Sequence, residues 1–97
     1  MIFKKGQYRN KRLAIVAYED DGSKIANVTE NLESVDMTEY GAFSVALNGG
    51  GCPQEIFMYL MEKGYIKTIG KGIAIGEERY PIAIVNQDWL ESIDEIG

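Results

Sequence analysis

Ninety-seven residues are the length of one domain with a single core, and 45% apolar with 10% aromatic content excludes a disordered chain. The longest apolar runs are six residues, at 13–18 and 56–61, far short of the ~20 that a membrane-crossing helix requires. The net charge of −5 is uneven: residues 1–12 carry five bases and no acid, residues 13–97 five bases and fifteen acids.

An acidic body repels phosphate at long range, so nucleic acid binding over a broad face is disfavoured and no membrane partner is expected. The basic arm is either solvated charge or a contact for RNA, DNA or an anionic protein. Lys4, Lys5, Arg9, Lys11 and Arg12 imitate the start of a secretory leader. The apolar stretch behind them is too short for one and runs into Glu19-Asp20-Asp21. The single cysteine, Cys52, cannot close an internal disulfide, which fits a reducing compartment, so a cytoplasmic protein is expected.

Residues 12–18 are apolar at both parities and predict a central strand buried on both faces. Asp21-Gly22 is a hairpin turn signal, and residues 24–29 alternate as the returning arm. Residues 31–41 are polar and irregular, anchored by Val35 and Met37. Residues 42–47 predict a third strand with Phe43, Val45 and Leu47 on one face, broken by Asn48-Gly-Gly-Gly51.

The strongest helix signal follows. Pro53 suits the first helical position with Cys52 as N-cap, and Glu55 complements the exposed amides. Lys63 falls in the last turn and Gly64 at the left-handed position that ends it. Ile56, Phe57, Leu60 and Met61 form the expected core stripe, which Met58 and Tyr59 widen beyond the needs of one sheet face. That width predicts a weak homodimer.

Residues 65–69 predict a short strand, Gly70-Lys-Gly72 a turn, 73–75 a strand fragment, and 80–85 the last strand, with Pro81 confined to an edge or unpaired position. Asp88 and Glu91 form a capping box for a short helix over 88–94 that docks Trp89 and Ile93. The expected class is α+β: one small, mostly antiparallel sheet of five to six strands, a main helix over 53–63 and a short C-terminal helix.

The chain has no histidine. That removes histidine-based acid–base chemistry, serine and cysteine nucleophiles activated by imidazole, and most zinc sites. Cys52 at a helix N-terminus is either a small buried hydrophobe or a reactive thiolate serving a thiol enzyme or redox sensor. The glycines at 49–51 before a helix invite an anion site, yet Gln54 and Glu55 stand where a phosphate loop needs Lys-Ser or Lys-Thr. Glu19-Asp20-Asp21 lacks calcium-loop spacing. No catalytic, cofactor or metal residue is therefore expected.

Asn48-Gly-Gly-Gly51, the helix ending Leu60-Met-Glu-Lys-Gly64, Lys67-Thr-Ile-Gly-Lys71, Gly76 and Tyr80-Pro-Ile82 leading to Asn86 together resemble a family of small uncharacterised proteins. Conjugative elements, plasmids and phages of Gram-positive and gut bacteria carry them. The resemblance implies an accessory protein of a mobile genetic element and assigns no functional residue.

The expected function is non-enzymatic binding of a protein partner. One alternative is inhibition of host defence, anti-CRISPR or anti-restriction, by an acidic face that imitates nucleic acid phosphate; the other is Cys52 chemistry. Candidate partner contacts are Glu19, Asp20, Asp21, Met58, Tyr59, Glu77 and Glu78.

Overall fold

A computed structural model describes residues 1–96. The strands are β1 (Ile2–Gln7), β2 (Leu13–Tyr18), β3 (Lys24–Asn27), β4 (Thr29–Glu30), β5 (Ser44–Leu47), β6 (Ile66–Ile75), β7 (Glu78–Val85) and β8 (Asp94–Glu95). The helices are α1 (Gln54–Glu62) and α2 (Gln87–Ser92), with a single 3-10 turn at Thr38–Tyr40. The α+β class and the antiparallel bias are as expected. The single sheet is not: the strands form two four-stranded sheets, ordered β3-β2-β1-β8 and β4-β5-β7-β6. Among the described residues only β1 and β8 run parallel.

The expected hairpin explains the division. Strand β2 pairs with β3 through Val16↔Asn27, Ala17↔Ala26 and Tyr18↔Lys24. The returning arm then leaves for the second sheet, where Thr29 and Glu30 face Leu47 and Ala46 of β5. Val28 is the crossing point: its N–H donates to the Ile15 carbonyl and its carbonyl accepts from Asn48 N–H, both at 2.9 Å. With its side chain fully buried, one residue ties both sheets to one core.

The basic arm is not a loose terminus. Its first half is β1, in register with β2 from Ile2↔Tyr18 to Gln7↔Leu13, and Arg9, Lys11 and Arg12 lie in the turn that follows. Side chains alternate across a strand, so Phe3 enters the core while Lys4 lies over the Tyr18 ring, 5.4 Å from its centroid. Lys5 turns inward and donates from Nζ to the Leu90 carbonyl at 2.7 Å.

The main core gathers Phe3, Ile15 and Ala17 from the first sheet, Val45, Leu47, Ala83 and Val85 from the second, and apolar residues of both helices. The opposite face of the second sheet is covered too. There Ala46 and Ile82 pack beneath Leu32, with Val35, Met37 and Tyr40 of the irregular segment around them. The Arg12 guanidinium holds that segment by donating to the carbonyls of Leu32 and Val35.

Two local expectations change, and the unpaired position expected for Pro81 is met. The segment expected as strand, turn and strand over 65–75 is one continuous β6, with a register shift between Thr68 and Gly72 and Gly70 at φ +72. Pro81 lies in an interior strand, but β5 pairs only with Ile82–Ile84 of β7, so the missing N–H falls where one flank has no neighbour. Helix α2 is capped by Asn86, whose Oδ1 accepts from Trp89 N at 2.9 Å, and Asp88 sits inside its first turn. No helix among the described residues is long and apolar enough to cross a membrane.

Candidate protein-docking surface

Helix α1 carries the candidate surface. Its start is backbone-made: Pro53 is the N-cap (ψ 137), no side chain caps the turn, and Ile56 N–H bonds the Pro53 carbonyl at 3.0 Å. Cys52 is therefore one residue before the cap, not the cap itself. The end is a Schellman motif, with Gly64 N–H to the Met61 carbonyl at 3.0 Å and Tyr65 N–H to the Leu60 carbonyl at 2.9 Å. Gly64 supplies the φ of +75 this motif requires.

Ile56, Phe57 and Leu60 are the buried stripe. Met61, expected in it, faces outward: a residue one position past Leu60 has rotated ~100° around the axis, off a stripe this narrow. Met58 is 58% exposed and Tyr59 38% exposed. Tyr59 is nonetheless anchored. Its ring stacks on Phe3 (centroids 6.1 Å, planes 13°), meets Tyr65 edge-on at 6.5 Å and lies under Lys63 Nζ at 5.8 Å. Trp89 closes the cluster, stacked on Tyr65 at 4.9 Å and edge-on to Phe3 at 5.8 Å. A rigid, half-exposed aromatic beside a flexible methionine is a low-entropy contact beside an adaptable one.

A shallow depression lies at the amino end of the same helix, lined by Met1, Glu19, Ile25, Pro53, Glu55 and Ile56. The structure thus brings Glu19 to the helix that carries Met58 and Tyr59. The other acids of that turn are occupied locally. Asp20 pairs with the Met1 amino group at 2.6 Å. Asp21 Oδ1 accepts from the hydroxyl and amide of Ser23, which hold its carboxyl below the usual value. Glu77 and Glu78 stand at the β6–β7 turn of the other sheet.

Glu55 and Glu62, exposed on α1 at either side of Met58, belong to the surface and were absent from the expected contacts. Their signal was present: positions 55, 58 and 62 share one helical face.

The remaining chemistry narrows. Burial pushes the Cys52 thiol up to about 11, which disfavours the thiolate at neutral pH. The glycine loop folds onto itself: Gly51 N–H donates to Asn48 Oδ1 at 3.2 Å, and Cys52 N–H to the Asn48 carbonyl at 2.9 Å. Those amides are not turned toward an outside anion. The cavity between Tyr8, Arg12, Glu30, Leu32, Met37 and Ser44 holds about 20 Å³, room for a single water. Among the described residues no three Cys, Asp or Glu side chains stand close enough to hold a metal ion.

No family model, curated protein or solved structure matches the chain.

Proposed function

We propose that this protein is a non-enzymatic binding domain that docks a protein partner on the outer face of α1. One observation carries the reading: Met58 and Tyr59 stand exposed on a helix whose opposite stripe is fully committed to the core. The fold presents these apolar side chains on a rigid element pinned at both ends, as interface anchors are presented. The resemblance of residues 48–86 to proteins of bacterial mobile elements supports an accessory role in such an element. The acids expected for phosphate mimicry, over residues 19–39 and 77–95, include Glu19–Asp21 at the β2–β3 turn of one sheet and Glu77–Glu78 at the β6–β7 turn of the other.

The test places a photo-crosslinking amino acid at position 58 and, as control, at the exposed Lys67 of β6, in the bacterial host. A discrete protein adduct from position 58 and none from position 67 is expected. Adducts that are equal at both positions, or missing from both, would remove α1 as the docking face.

A further inference from the structure

We infer that the partner segment seated on α1 is a cationic amphipathic helix, an apolar anchor flanked by lysine or arginine; this rests on the reading that α1 is the docking face. The apolar centre is Met58 and Tyr59, and the rim is acidic. Glu55 precedes Met58 by three residues and Glu62 follows it by four, both on the exposed face. Glu19 adds a third carboxylate across the depression at the amino end. None of the three is in an ion pair, since the one ion pair among the described residues joins the Met1 amino group to Asp20. The only base on the helix end, Lys63, lies over the Tyr59 ring.

Free carboxylates around an apolar centre favour a partner that brings positive charge to the rim and an apolar side chain to the middle. Spacing points to a helix. Residues 55 and 62 lie about 10 Å apart along α1, two turns, which matches bases two turns apart on a facing helix. Met58 suits such a partner, because an unbranched thioether moulds to varied apolar anchors. The same rim argues against a second copy: antiparallel pairing of two α1 helices about Met58 sets Glu55 against Glu62, like charge on like. Nucleic acid is disfavoured for the same reason.

The test pans a phage-displayed library of helix-forming peptides against the full chain, then measures the enriched peptides in solution by fluorescence anisotropy. Enriched peptides should carry bases around an apolar anchor. They should bind about tenfold or more weakly to the Glu55→Lys/Glu62→Lys variant and lose binding with Met58→Asp. All three positions are exposed, and circular dichroism with thermal melting confirms that each variant folds. Enriched peptides that are neutral or acidic, yet lost with Met58→Asp, overturn the cationic partner and leave α1 as the docking face. Peptides that survive Met58→Asp overturn both. A doubled mass in light scattering that Met58→Asp returns to one chain puts a second copy on the face and overturns the inference.

Discussion

The Tyr8 hydroxyl meets Thr29 twice, at 3.0 Å from Oγ1 and 3.1 Å from the carbonyl oxygen. Thr29 is the one buried polar side chain among the described residues, and its Oγ1 also accepts from Ile15 N–H at 3.2 Å. The bond joins the loop after β1, the central strand β2 and the strand that opens the second sheet. A hydroxyl in this position matters, because Ile15 N–H is buried and a buried donor without an acceptor is costly. Thr29→Val keeps the shape and removes the acceptor, and is expected to cost about 1–3 kcal/mol in urea denaturation. Tyr8→Phe removes one partner from a more accessible spot and should cost less, about 1 kcal/mol. Equal stability of Thr29→Val and the parent chain would show that the network contributes nothing net.

Much of this could be read from the chain alone. The β2–β3 hairpin and α1 were legible because periodicity, turn residues and helix-end residues all agree there. Strand β1 was not, because Phe3 is followed by two lysines, and the inward side chain of Lys5 finds its acceptor only at a carbonyl 85 residues away. The two-sheet division was hidden for a similar reason: residues 24–29 read as one strand, and only the paired bonds at Val28 divide it. At α2, Asn86 and Asp88 are both capping types. The choice is tertiary, since Asn86 N–H is held by the Tyr65 carbonyl at 2.8 Å, which keeps Asn86 extended and starts the helix after it. In the candidate surface, Met58 and Tyr59 showed as a surplus over the core stripe, whereas Glu19 joins them only by folding.

The glycine loop offers a second prediction. A Cβ at Gly51 would stand 2.6 Å from Asn48 Nδ2 and 3.0 Å from Oδ1. The Asn48 amide cannot yield cheaply, because Nδ2 donates to the Asn27 carbonyl at 3.0 Å while Oδ1 accepts from Gly51 N–H. Gly51→Ala should therefore destabilise by about 1–2 kcal/mol. Asn48→Ala loses the same two bonds and should cost a similar amount. The double variant should cost clearly less than the sum, because both changes remove one interaction set. Additive costs in thermal or urea unfolding would mean that the two residues act separately. By contrast, Gly50→Ala, with nothing within 4 Å of the added carbon, should sit near the parent in stability.

Cys52 gives the pH prediction. The residue is 5% exposed, and burial alone raises its thiol from 9.0 to about 11. The folded chain then holds the thiol proton more tightly than the unfolded chain does, so this group's contribution to stability is complete below pH 9. Between pH 9 and 11 the unfolded thiol ionises first, and the contribution is lost as pH rises through that window. The informative quantity is the difference between the parent and Cys52→Ala, which isolates this group. The parent should lose stability more steeply across pH 9–11, and the two should run parallel below pH 8. Alkylation supplies an independent reading, since the thiolate is the nucleophile. The folded chain should react slowly at pH 8, with a rate still climbing past pH 9, while the urea-unfolded chain reacts with an ordinary thiol profile. A rate that levels near pH 8.5 in the folded chain would show an accessible thiolate at the start of α1 and reopen the case for thiol chemistry.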